Sequence, residues 1–94
     1  MSGKVKVKLF AQIAEIAHGK EFELEGEDVR EILKVLVTDI DELEELLFKD
    51  KEHAELRDDK IVLKDGRNID YLDGLDTEVK DGDKISIFPV VGGG

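Results

Sequence analysis

Lys4-Val5-Lys6-Val7-Lys8-Leu9-Phe10 decides the fold. Strict alternation sends Val5, Val7 and Leu9 to one face and the three lysines to the other, the pattern of a half-buried strand. Its counterpart stands near the other end of the chain, at Lys84-Ile85-Ser86-Ile87-Phe88, with Ile85 and Ile87 inward and Ser86 and Phe88 outward. These are the strongest apolar alternations in the chain. They are expected side by side and parallel at the centre of a sheet, with the helix between them as part of the crossover.

The other elements fall around this pair. Lys20-Glu21-Phe22-Glu23-Leu24-Glu25 alternates again and lies close enough to the first run for an antiparallel hairpin. The residues between, Ala11 to Gly19, are small and polar and read as a connection. Asp28 has Glu31 three positions later, a capping-box pattern, and Val29, Ile32, Leu33 and Leu36 follow at helical spacing. A second short helix is expected over Asp41 to Lys49, with Leu43, Leu46 and Leu47 on one side. Lys49 to Asp59 reads as a charged, mobile loop. Strand character returns at Lys60-Ile61-Val62-Leu63-Lys64, with turns at Asp65-Gly66 and Asp81-Gly82-Asp83, a short strand continuing at Asn68-Ile69, and weak alternation at Leu75, Thr77 and Val79. The expected fold class is α+β: a mixed sheet with one main helix packed on one face, the β-grasp arrangement.

Composition narrows the function. The 94 residues carry 24 acidic and 14 basic side chains, a formal net charge of -10, which disfavours nucleic acid as a partner. With no cysteine there is no disulfide framework, thiolate metal site or thiol nucleophile. No apolar run approaches the roughly 20 residues that cross a bilayer, and the opening residues do not read as a signal peptide, so a cytoplasmic protein without membrane contact is expected. A chain this short supports one modest core, leaving little room for a closed active site.

The ending, Val90-Val91-Gly92-Gly93-Gly94, follows Phe88-Pro89. Pro89 cannot donate to a ladder and ends the strand. Three glycines have nothing to pack and carry large backbone entropy, so residues 1–89 are expected to form the domain and 90–94 a flexible tail. Such a tail is either a frayed end or a slim strip that threads into another protein, where a channel admits backbone only.

Three segments resemble the MoaD/ThiS group of ubiquitin-like sulfur carriers, which includes the small archaeal modifier proteins, with the greatest likeness to the molybdopterin-synthase small subunit. They are Val5 to Ala11, Leu75 to Asp83, and Ile85 to Gly94. The Asp-Gly-Asp turn, the strand, Phe-Pro and a Gly-Gly end in this spacing are specific together. Two departures stand out: Val90 replaces the usual second proline, and Gly92 stands where Ala, Ser or Thr is usual.

The resemblance implies a carrier rather than an enzyme. A ubiquitin-activating-type enzyme would adenylate the carboxylate of Gly94 with ATP, and sulfur transfer would leave a thiocarboxylate there. Gly92 and Gly93 would thread the tail, and Phe88, Pro89, Val90 and Val91 would dock the partner. The carrier would bind no cofactor of its own, and its sulfur would go to molybdenum or tungsten cofactor synthesis on the molybdopterin-synthase large subunit. The alternative is a protein modifier, with Gly94 joined to lysines of target proteins. Sulfur carriage for thiamin or tRNA, or a β-grasp module with an inert tail, are lesser readings.

The remaining candidates are read as ordinary surface. His18 and His53 are taken as lone surface histidines in loops. Asp41, Glu42, Glu44 and Glu45 are taken as a solvated helix face rather than a metal site, since they lack the alternating ligands and glycine of a calcium loop. Asp58-Asp59 is turn chemistry. Lys4, Lys6 and Lys8 are a solvent face, partner contacts or acceptor lysines. For Phe88, docking outward and packing under the loop before Gly74 are both open.

Overall fold

The computed structural model describes residues 2–90. Five strands form one mixed sheet in the order β2-β1-β5-β3-β4. They are β1 (Gly3–Leu9), β2 (Glu21–Gly26), β3 (Lys60–Lys64), β4 (Arg67–Asn68) and β5 (Lys84–Pro89). β1 and β5 run parallel, with Val7 opposite Ile85 and Leu9 opposite Ile87. β2 pairs antiparallel with β1, and β3 antiparallel with β5. The parallel pair stands inside the sheet, as the alternation predicts, with β2 flanking β1 and β3 flanking β5.

Val5, Val7, Leu9, Ile85 and Ile87 are at most 1% exposed and form the floor of a single core. The main helix, α2 (Val29–Asp39), covers it with Val29, Ile32, Leu33 and Leu36, all buried. Its start is set as expected: the Asp28 carboxylate accepts the Glu31 N–H at 2.8 Å. A 3-10 turn (Asp41–Leu43) and α3 (Glu44–Leu47) continue the layer, burying Leu43 and Leu47.

Three expectations need correction. Ala11 to Gly19 is not a bare connection: Ala11–Ala17 is a helix, α1, whose Ile13, Ala14 and Ala17 are buried in the core. Small alanines bring the helix close to the sheet, but in sequence they do not register as an apolar stripe. The weak alternation at Leu75, Thr77 and Val79 is no strand; it buries all three side chains from a 3-10 turn (Gly74–Asp76) and an isolated bridge between Asp28 and Glu78. Ile69 lies in another 3-10 turn (Ile69–Tyr71) rather than extending β4.

Gly3 is required by close approach. A Cβ there would lie 2.6 Å from the Lys80 carbonyl carbon, in the backbone that leads to the Asp81-Gly82-Asp83 turn. Gly82 sits at φ 89° in that turn, and its N–H donates to Lys4 O at 3.0 Å.

Candidate functional site

Because β1 and β5 are parallel, they finish at the same end of the sheet. Phe10 follows β1 and donates its N–H to Ile87 O at 3.2 Å. That bond sets its ring against Phe88: the centroids are 4.2 Å apart and the planes 14° from parallel. The Lys8 ammonium lies 5.6 Å from the centre of the Phe10 ring, within cation–π range. On the other side, Ile61 of β3 is directly opposite Phe88, and Leu63 opposite Ser86. The outer face of the sheet thus carries an apolar strip of half-buried side chains, Phe10, Phe88, Ile61 and Leu63.

Phe88 therefore faces outward, as the alternation requires, and is stacked on Phe10 rather than packed beneath the loop before Gly74. The sequence reading missed Phe10 as its partner. The signal that finds it is the parallel register, which brings the ends of the first and last strands together.

Charge borders the strip. Lys4, Lys6 and Lys8 are exposed on this face and stand opposite Glu25, Glu23 and Glu21 of β2. On its other side Lys6 is opposite Lys84, a like-charge pairing that a sheet does not favour.

Past Phe88, the chain is held by β3. Pro89 is opposite Lys60, and the next ladder bond runs from Val90 N–H to Asp59 O at 2.8 Å. The Lys60–Pro89 pair thus exchanges no bonds, and the missing proline N–H costs nothing on that side. Val90 itself is 42% exposed. Val91, Gly92, Gly93 and Gly94 lie outside the described residues, and with them the docking expected of Val91, the threading of Gly92 and Gly93, the acceptor role of Gly94, and all of the expected 90–94 tail but Val90.

Asp59 belongs to a turn, as expected for Asp58-Asp59: Lys60 N–H donates to Arg57 O at 3.2 Å. One oxygen of its carboxylate accepts from Lys60 Nζ at 3.0 Å and Arg57 Nε at 3.2 Å. The Lys60 bond, and then the Arg57 bond, hold the Asp59 carboxyl below its ordinary pKa.

The stretch from Lys49 to Asp59, expected to be mobile, is tied in several places. Lys49 N–H donates to Glu55 O at 3.0 Å, Arg57 N–H donates to Leu47 O at 2.8 Å, and Phe48 bridges Leu56. Lys49 Nζ lies 2.9 Å from Asp58, whose bond holds the ammonium above the ordinary lysine pKa. His53 is not a free surface histidine. Its Nε2 is 2.6 Å from Glu44 Oε2, its ring centroid is 4.6 Å from that of Phe48, and its side chain is 16% exposed. Glu44 is accordingly half-buried, while Asp41, Glu42 and Glu45 are exposed, and His18 is exposed at the end of α1. Among the described residues, no three His, Cys, Asp or Glu side chains gather as metal ligands. Nor is any helix among them long and apolar enough to cross a membrane.

Comparison with known proteins agrees with this architecture. A model of the ThiS family matches residues 7–94. Small archaeal modifier protein 3 of Haloferax volcanii is 33% identical over 94 residues, covering 97% of this chain and 99% of that protein. A putative sulfur carrier protein of Archaeoglobus fulgidus is 37% identical over 92 residues, covering 96% and 98%. The solution structure of small archaeal modifier protein 1 from Methanosarcina acetivorans superposes with a TM-score of 0.89 at 40% identity, over 100% of this chain and 99% of that one.

Proposed function

This chain belongs to the ThiS family of small ubiquitin-like sulfur carriers and modifiers, and from that premise we propose that it carries sulfur on the carboxylate of Gly94. The observation that carries the proposal is the apolar strip Phe10–Phe88–Ile61–Leu63, which lies at the root of a glycine-ended tail. A partner that grips the strip receives the tail beside it.

The chemistry is acyl activation. A carboxylate oxygen of Gly94 attacks the α-phosphorus of ATP on an adenylating, ubiquitin-activating-type enzyme, and pyrophosphate leaves. A persulfide sulfur then displaces AMP from the acyl carbon, and a thiol reductant cleaves the sulfur–sulfur bond to free the thiocarboxylate. The ATP and metal contacts belong to the partner. This chain supplies the docking strip, the slim approach through Gly92 and Gly93, and the reacting carboxylate, acting in the cytoplasm. Residues 1–89 serve as the handle and 90–94 as the working tail, with Pro89, Val90 and Val91 extending the docking surface. The recipient of the sulfur is the large subunit of a molybdopterin synthase.

A second reading shares every step to the adenylate: a lysine amine of a target protein displaces AMP and forms an isopeptide. The likeness to a small archaeal modifier protein favours keeping it.

The test is incubation with the activating enzyme, ATP and a persulfide donor, followed by intact mass. A gain of about 16 Da, sulfur for oxygen at the terminus, is expected. Gly-Gly remnants on lysines of other proteins in the native cell would assign conjugation. Neither product, with normal growth after deletion of Gly93 and Gly94, would overturn both readings.

A further inference from the structure

We propose that Asp59 is a positioning residue for the tail: its carboxylate, bonded to Arg57 and Lys60 together, locks the turn whose carbonyl holds the Val90 amide. The inference rests on the reading that Gly94 is the reacting group. It concerns how that group is presented.

The need for an anchor follows from the sequence of the tail. Pro89 has no N–H, and Gly92 to Gly94 have no side chains. Val90 is thus the first residue beyond Pro89 that has an N–H to give. Here that N–H exists, and Asp59 O takes it at 2.8 Å. From Val90, four residues remain to the carboxylate, a reach of about 13–14 Å when extended. The Val90 bond therefore sets the point in the fold from which that reach is counted.

The carbonyl can hold Val90 only while the Arg57–Lys60 turn keeps one conformation, and the carboxylate of Asp59 does this from both ends. Arg57 opens the turn, Lys60 closes it, and both bond the same Asp59 oxygen. Lys60 makes the arrangement hard to give up. Its side chain is only 5% exposed, and among the described residues Asp59 is the acidic partner within reach of its ammonium. Without that carboxylate, a covered charge is left unpaired and is driven toward water. Lys60 is also the residue opposite Pro89, so its displacement loosens the β3–β5 ladder at the tail root. The side chains of the strip, Phe10, Phe88, Ile61 and Leu63, make none of these bonds.

Docking through the strip and presentation of the tail are read apart in steady-state adenylation, the first chiefly through KM and the second through kcat. Pyrophosphate release by the activating enzyme is measured beside hydrogen exchange of assigned amides by NMR. In Asp59→Ala, exchange at Val90 is expected to speed up by about tenfold while Ile85 and Ile87 are unmoved. The kcat falls by about fivefold, the penalty of one backbone residue left unfixed, and KM stays within about twofold. Asp59→Asn, which keeps an acceptor oxygen, recovers part of both. In a Val90→Pro background, where the donor is gone, Asp59→Ala changes kcat no further. Unaltered Val90 exchange, or a rise in KM with kcat unchanged, would overturn the proposal; the latter would make Asp59 a docking contact. Absence of pyrophosphate release from the wild-type chain would instead overturn the adenylation reading, while the exchange measurement still decides whether Asp59 holds Val90.

Discussion

Phe88 supports the fold from outside its core. Its ring is half-buried and stacked on Phe10, so Phe88→Ala removes an aromatic pair without opening the core. The expected cost is about 1–2 kcal/mol, a fall in Tm of several degrees with the fold retained. Adenylation should respond through KM, the opposite of Asp59→Ala. A melt that collapsed would place Phe88 in the core and withdraw it from the docking strip. Gly3 is a purely structural counterpart. Gly3→Ala drives a methyl into the Lys80 backbone, which has no rotamer to move, and should destabilise by about 1–3 kcal/mol in denaturant titration. What the sequence conceals at this scale is partnership. The outward position of Phe88 follows from alternation alone, but its stack on Phe10 needs the register of strands some 75 residues apart. The burial of His53 is of the same kind, since it depends on Glu44 and Phe48 rather than on any local period.

At the scale of elements, strands and the capped helix were legible because each advertises itself locally. β1 and β5 alternate, and Asp28 caps α2 through a bond confined to one turn. Removing that bond in Asp28→Ala is expected to cost about 1 kcal/mol, readable as a shifted denaturant midpoint with an unchanged m-value. α1 was not legible, because a helix built on Ala14 and Ala17 buries little apolar surface per residue and its apolar signal is weak. The stretch from Lys49 to Asp59 misleads for the opposite reason. Its many charges look solvated, yet Lys49, Arg57 and Asp59 bond within it and to Lys60. Acid should expose this. The depressed carboxyl of Asp59 lends stability that is present above the ordinary carboxylate pKa of about 3.9 and is lost as pH falls through its lowered value. The protection factor of the Val90 amide is therefore expected to hold from neutral pH to about 4 and to decline below it. A decline that began near pH 6 would point to a different group.

For the molecule as a whole, net charge and local charge disagree. The chain carries -10, which suggests steering toward basic partners. The apolar strip, however, is bordered by Lys6, Lys8 and Lys84, with two of these lysines opposed across β1 and β5. A partner that reads the strip should meet it with acidic residues and relieve that opposition. Lys84→Glu is expected to raise KM for adenylation despite making the chain more acidic overall, and added salt should weaken the wild-type interaction. An improved KM in the variant would show that the overall charge governs the encounter.

The central place of β5 has a consequence for the life of the chain. β5, which follows the other four strands in the chain, completes the middle of the sheet between β1 and β3. A ribosome-bound or prematurely terminated chain therefore lacks the strand that both halves of the sheet require. Phe88 of the docking strip is also missing until then. A chain that stops before β5 leaves β1 and β3 each with an open edge at the middle of the sheet, the surface on which strands of other chains add.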